Sequence, residues 1–419
     1  MRKGDQIEKF EPNLERIKRD ILNISQITSP NEFGYTRISF SEEDHKAREQ
    51  IALLMEREAK LKVRIDAVGN LIGRREGKNP MPAILVGSHI DTVPGGGRFD
   101  GVAGVIAGIE VARMFEERGV KSLHPLEIIV FLAEEPSPFG LSTIGSRGMV
   151  GKLREEHLTS LKDDGGRTLG KAIQEIGGDP ASLREARRSP NDVLGYLELH
   201  IEQGPLLFSR GVPVGIVEGI VGIARGRIEV IGRNDHAGTT PMATRKDALA
   251  GGSEVVLALE KVCKELDGVV GTIGRASISP DALNVIPGRM DLGMEIRSLN
   301  ENSIHQAISL IKKELERIRE RRGLQINLKT EMSSKPVIFK KEMVDRIRRV
   351  CKKLSIPYLE MVSGGGHDAM HIAQIAPVGM VFIPSKDGRS HCPEEWSEFG
   401  HVCLGIEVIA STIAEMDKE

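Results

Sequence analysis

His89 and Asp91 stand two residues apart in GSHIDT, directly after the apolar run AILVG. On an extended segment, residues two apart point to the same side. His89 can therefore bind a divalent cation through one ring nitrogen while Asp91 accepts the proton of the other; a turn or a cap is the plainer reading. Asp100 follows in GGGRFDGVAG, where glycines allow a tight turn and a helix start tolerates a carboxylate. It reads either as the N-cap of that helix or as a carboxylate shared by two cations. Glu134 and Glu135 close a second apolar run, LEIIVFLA. Adjacent carboxylates at the mouth of a buried strand are costly when desolvated and unpaired. Strand neighbours face opposite sides, so one can ligate and the other act as a base; a solvated strand end is the alternative. His200, in YLELHIEQGP, and His391, in SHCPEEW, add two imidazoles. Together these types form the donor set of a hydrolytic centre with two cations, a bridging carboxylate and a base near a shared water.

The elements that must position them read as an α/β catalytic domain. Leu14, Ile17, Ile21 and Leu22 repeat at helical spacing, and Ser41 with Asp44 marks a second helix start. AILVG (83–87) and LEIIVFLA (126–133) are strand-like, and VAGVIAGIEVARMFEE between them is helical. That alternation predicts a mainly parallel central sheet flanked by helices, with functional residues at the carboxyl edge of its strands. After about Val217 the rhythm changes to strand, helix, strand, strand, helix, strand, ending at LQINLKTE. It predicts an inserted ferredoxin-like α+β domain over 216–331, with a discontinuous catalytic domain formed by 1–215 and 332–419.

The chain has 419 residues, 40% hydrophobic and 28% charged, with a formal net charge of −2. No basic field exists to gather nucleic acid or an anionic membrane surface. The basic run Lys312–Arg322 is interrupted by Glu314, Glu316 and Glu320 and reads as a solvated helix face. The opening twenty residues hold no apolar leader, and no stretch reads as a bilayer span. Four scattered cysteines (Cys263, Cys351, Cys392 and Cys403) suit a reducing compartment, so a cytoplasmic location is expected.

From about Thr36 to Trp396 the sequence resembles the amidase, hydantoinase and carbamoylase branch of the dinuclear, carboxypeptidase-like metallohydrolases. The blocks that carry the resemblance are GSHIDTVPGGGRFDGVAGV, EEPSPFG…GSR, HIEQGP, DHAGTTPM, NVIPGRMDLGMEIR, SGGGHDAM and SHCPEEW. It implies His89 and His200 on one metal, Glu135 and His391 on the other, and Asp100 between them. Asp91 would orient His89, Glu134 would be the general base, and Gln203 would line the site. Asn284 and Arg297 match contacts to a substrate carboxylate, for which a guanidinium fork is suited, and Arg225 matches a basic position near the substrate. His236, in DHAGTTPM, resembles a histidine that reaches the active site from a partner subunit and polarises the scissile carbonyl. The implied assembly is a homodimer, with the inserted domain as lid and dimerisation element. The implied cofactors are two divalent ions, with Zn, Mn, Co or Ni all compatible with a thiolate-free set.

The implied activity is hydrolysis of an N-carbamoyl-L-amino acid to the amino acid, ammonia and carbon dioxide. Alternatives are allantoate or a β-ureido acid as substrate, or an N-acyl amino acid or dipeptide. A binding protein without catalysis would have lost its base or its bridging ligand, and both Glu134 and Asp100 are present. One departure stands out: the common EEGSRFG block is EEPSPFG here, with Pro136 and Pro138 replacing a glycine and an arginine. Each proline fixes φ and lacks an N–H donor, and the lost arginine removes a charge from the rim.

Overall fold

The computed structural model describes residues 9–30 and 33–418; the first eight residues, part of the segment read as lacking a leader, lie outside them. The chain divides into two compact units, Met1–Glu218 with Phe339–Glu419, and Gly219–Ile338. The second unit thus runs later than the expected 216–331. Its last long strand continues to Ser334, and Val337–Ile338 then pairs with Gly219–Ile220 before the chain returns.

In chain order the strands are β1 (Lys62–Ile65), β2 (Leu71–Arg75), β3 (Ala83–Ser88), β4 (Leu126–Val130), β5 (Val193–Ile201) and β6 (Val214–Ile220). Then follow β7 (Gly222–Ile231), β8 (Asp235–His236), β9 (Val269–Ser279), β10 (Val285–Ile286), β11 (Arg289–Ser298), β12 (Gln325–Ser334) and β13 (Val337–Ile338). The first unit resumes with β14 (Tyr358–Ser363) and β15 (Val378–Ile383).

The first unit is built on a sheet whose centre, β4-β3-β5-β15, is parallel, while the flanking β1-β2 and β6 pair antiparallel. Both faces of that centre are covered, so β3, β4 and β15 are buried at every residue, as unbroken apolar strands require. The helix Val102–Glu117 lies on β3, β4 and β5, with helices Leu14–Ser25 and Phe399–Met416 against it. Ser41 caps the helix Glu42–Leu53, its hydroxyl accepting the Asp44 N–H at 3.2 Å. The Asp44 carboxylate reaches one residue past the cap, to the Phe40 N–H at 2.8 Å.

One expectation is corrected here. The helix Phe399–Met416 is long and apolar enough, by length and composition, to cross a bilayer. Its apolarity has another cause in this fold: Val402, Ile406, Ile409 and Ile413 are buried at 1% exposure or less among the neighbouring helices and strands.

The second unit has the order β12-β7-β11-β9, all antiparallel, with helices Ala248–Glu265 and Glu301–Arg322 against the sheet. Alternation decides its faces. Met290, Leu292, Met294 and Ile296 of β11 point into a core with Val255, Leu259, Ile304 and Ile311, whereas Asp291, Glu295 and Arg297 lie on the other face.

Candidate metal centre

The carboxyl ends of the four parallel strands converge on one place in the first unit. His89 follows β3, Glu134 and Glu135 stand just beyond β4, His200 is the last residue but one of β5, and His391 is on the loop beyond β15. Asp100 sits among them with its two oxygens turned to different partners. Its Oδ1 lies 3.1 Å from His200 Nε2 and 3.6 Å from His89 Nε2, and its Oδ2 lies 3.0 Å from His391 Nε2. Glu135 Oε1 is 3.3 Å from the same His391 nitrogen, and Glu134 Oε2 is 3.7 Å from His89 Nε2. Gln203 Nε2 donates to Asp100 Oδ2 at 2.8 Å and lies 3.2 Å from His391 Nε2.

The backbone is bent to achieve this. Ala133, Gln203 and His391 all have φ between 50° and 57°, a left-handed conformation that costs a non-glycine residue on the order of 1–2 kcal/mol. Gly101 has φ 66°, and a Cβ there would stand 2.6 Å from the His89 ring. Glycine is required for the turn and for the approach of the ring. Gly101, not Asp100, caps the helix Val102–Glu117, which leaves the Asp100 carboxylate free to face the imidazoles.

Charge tells what such a pocket would accept. Asp91, Asp100, Glu134, Glu135, Glu198 and Asp368 are all buried, at 9% exposure or less. Burial opposes ionisation of Asp100, yet the imidazoles of His200, His391 and His89 hold its carboxyl well below the usual range. Burial works against the charged forms of His89 and His200 too, but Asp100 beside them lifts both. His391, next to Asp100 and Glu135, is pushed up to about 10. Glu134 is driven the other way, well above the carboxylate range, chiefly by burial, with Glu135, Asp368 and Asp91 adding to it against His89. The cluster is a sink for positive charge. Asp100 Oδ1 and His200 Nε2 are buried and face each other at 3.1 Å, so a carboxylate oxygen and a ring nitrogen are directed at the same place. The ligand atoms of His89, Asp100 and His200 lie within 4.8 Å of one another, as do those of Asp100, Glu135 and His391. These all-N/O donor groups fit divalent cations.

The support around the centre differs from expectation in one respect. The His89 ring is held at Nδ1 by the backbone carbonyl of Asp91 at 3.0 Å, with the Asp91 carboxylate farther away at 3.5 Å. That carboxylate instead accepts the N–H groups of Glu134 and Glu135, at 3.3 and 3.0 Å. Asp91 thus fixes both strand-end glutamates. Behind it Arg37, 1% exposed, donates to the carbonyls of Ile90, Ile24 and Ile27 and holds the loop in place.

Several buried groups were not singled out from sequence. Glu198 lies two residues before His200 and accepts from Ser88 and Tyr196 hydroxyls at 2.7 and 2.9 Å; a charged residue in phase with a ligand on an apolar strand was the available signal. His367 stands edge-on to His200 with ring centroids 4.5 Å apart, and Asp368 takes the Ser146 hydroxyl at 2.5 Å. Both belong to SGGGHDAM. Glu395, in SHCPEEW, accepts the backbone N–H groups of Phe99 and Asp100.

The remaining expected residues lie in the second unit, in two places. His236 (β8) pairs with Val285 (β10), next to Asn284, whose carbonyl accepts the Ala237 N–H. His236 is exposed, and its Nδ1 accepts from the N–H groups of Gly238 and Thr239 at 3.0 and 3.2 Å. The neutral ring therefore carries its proton on Nε2, as an outward-facing donor. Arg225 and Arg297 share one carboxylate, their Nε atoms donating to Glu295 at 2.8 and 2.7 Å.

Comparison with known proteins agrees with this architecture. The sequence profile of peptidase family M20/M25/M40 matches residues 85–415. The chain is 39% identical over 406 residues to an N-carbamoyl-L-amino-acid amidohydrolase of Paenarthrobacter aurescens, covering 96% of this chain and 98% of that one. It is 38% identical to the N-carbamoyl-L-amino acid amidohydrolase of Geobacillus stearothermophilus, with 96% and 98% covered. Among solved structures, a hydantoinase/carbamoylase family amidase from Burkholderia ambifaria superposes with a TM-score of 0.91 at 32% identity, covering 98% of each chain.

Proposed function

The chain belongs to peptidase family M20/M25/M40, and on that premise we propose that it is a cation-dependent hydrolase that removes the carbamoyl group from N-carbamoyl-L-amino acids. The observation that carries the reading is Asp100, buried, with one oxygen toward His89 and His200 and the other toward His391 beside Glu135. A carboxylate so placed can serve two cations at once. Its relatives of 38–39% identity, named for carbamoyl-amino-acid hydrolysis, support the substrate class.

His89 and His200 would hold one divalent ion and Glu135 and His391 a second, with Asp100 shared. Bound there, such ions would lower the pKa of a water and polarise a carbonyl oxygen. Glu134 takes the proton of the attacking water and passes it to the leaving nitrogen; burial and the neighbouring carboxylates raise its proton affinity, which favours its taking up a proton. One water is consumed, and the amino acid, ammonia and carbon dioxide are released. Asp91 keeps Glu134 and Glu135 in register through their backbone N–H groups. His236, a fixed Nε2–H donor, would donate to the developing oxyanion from a partner subunit in a homodimer, with Asn284 and Arg297 on the substrate carboxylate and Arg225 nearby.

Ammonia release from N-carbamoyl L- and D-amino acids, N-carbamoyl-β-alanine and allantoate tests the reading, before and after chelation. The expected result is chelator-sensitive turnover confined to the L-carbamoyl series. Turnover unaffected by exhaustive chelation would end the cation-dependent mechanism, and preference for allantoate would reassign the substrate.

A further inference from the structure

Glu395 is 1% exposed, and among the described residues no arginine, lysine or histidine pairs with it. A buried carboxylate without a cationic partner is costly unless hydrogen-bond donors meet it. Oε1 accepts the backbone N–H of Phe99 at 2.8 Å and that of Asp100 at 3.1 Å; Oε2 accepts the Ser390 hydroxyl at 2.8 Å. Ser390 precedes His391, and its hydroxyl is also 3.3 Å from Asp100 Oδ2. One carboxylate therefore ties the main chain of Asp100 to the loop carrying His391, across nearly three hundred residues of sequence. Neighbouring residues are shaped around it. A Cβ on Gly97 would collide with the Glu395 carboxylate, and Trp396 packs edge-on against Phe99 with ring centroids 5.3 Å apart.

We propose that Glu395 is a positioning residue that sets the spacing between Asp100 and His391 and so determines how tightly the Asp100–Glu135–His391 half of the centre holds its cation. The His89–His200 half shares Asp100 but depends less on this tie. Its two imidazoles are fixed independently by strand ends and by the carbonyls of Asp91 and Ile201, whereas in the other half the tie holds both Asp100 and the His391 loop. The inference rests on the two-cation reading above. Glutamine at 395 would keep an acceptor for the Phe99 and Asp100 N–H groups and offer its amide N–H to the Ser390 oxygen. It therefore preserves the tie while removing the charge.

The test is calorimetric titration of the chelator-stripped full-length protein with Zn2+, alongside circular dichroism and thermal melting. The native protein should take up two ions. Glu395→Ala should weaken one binding step by about 10–100-fold, the usual effect of losing a group that orients a ligand, and the other step distinctly less, and Glu395→Gln should keep both steps. Equal binding by Glu395→Ala and the native protein, equal weakening of both steps, or a Glu395→Gln loss as large as that of Glu395→Ala would each overturn the proposal. Should Glu395→Ala misfold, Ser390→Ala removes the Oε2 link and the weaker 3.3 Å contact to Asp100 Oδ2 while leaving the backbone links of Oε1 in place; it must weaken the same step most, and unchanged binding refutes the idea. Absence of any Zn2+ binding by the native protein would instead remove the two-cation reading itself.

Discussion

Glu134→Gln separates the base from the ligands. The side chain keeps its length, and the backbone N–H groups of residues 134 and 135 remain bound by the Asp91 carboxylate, so Glu135 stays in register. Glu134 belongs to none of the ligand groups whose atoms lie within 4.8 Å of one another, and its nearest imidazole nitrogen is 3.7 Å away. Metal content, read by inductively coupled plasma mass spectrometry, should therefore be unchanged. An amide cannot accept the proton of the attacking water. General acid–base catalysis contributes roughly 10²–10⁴-fold, which corresponds to about 2.7–5.4 kcal/mol in barrier height at 1.36 kcal/mol per decade. Ammonia release at saturating substrate should fall by that factor in kcat with little change in KM, because Glu134 acts on the water. Activity within tenfold of the native protein would refute the assignment, and so would loss of bound metal, which would make Glu134 a ligand.

Other outcomes follow from the same geometry. Gly101→Ala places a methyl group 2.6 Å from the His89 ring at φ 66°; it should cost about 1–2 kcal/mol in backbone strain and weaken metal uptake, read by calorimetry, whereas unchanged affinity would show that the ring can move aside. His391 is lifted from 6.5 to about 10 by Asp100 and Glu135. A raised folded-state pKa stabilises fully below the unfolded value and is lost as pH climbs through the folded one. The chelated protein should therefore melt progressively earlier between about pH 6.5 and 10, and His391→Ala should flatten that slope; an identical slope in the variant contradicts the coupling. Mixing His236→Ala with Glu134→Gln subunits should restore part of the activity that each lacks alone. If subunits exchange, by mass spectrometry, and the mixture stays inactive, His236 does not act across a dimer.

Much of this centre was legible in the sequence because the signals are local. An apolar run that ends in GSHIDT or in a Glu-Glu pair states both the strand and the chemistry at its mouth, and a parallel sheet places such mouths together at its carboxyl edge. The alternation of Arg289–Ser298 likewise predicts which residues of β11 face a core. Even so, the proline departure in EEPSPFG leaves no local signature beyond two exposed side chains, Pro136 and Pro138, and the structure gives it no further explanation.

What only the tertiary structure decided was which atom meets which. Sequence spacing offers Asp91 to His89, yet in the folded chain the carboxylate goes to two backbone N–H groups and the carbonyl goes to the ring. Asp100 reads as a cap until Gly101 takes that place with a φ only glycine adopts freely. Glu395 could not be assigned because its donors are main-chain groups at residues 99 and 100, and a backbone N–H has no identity in a sequence. Side-chain type and order along the chain are one-dimensional properties, whereas a hydrogen bond or a shared ion depends on distance and angle, which packing of the whole unit fixes.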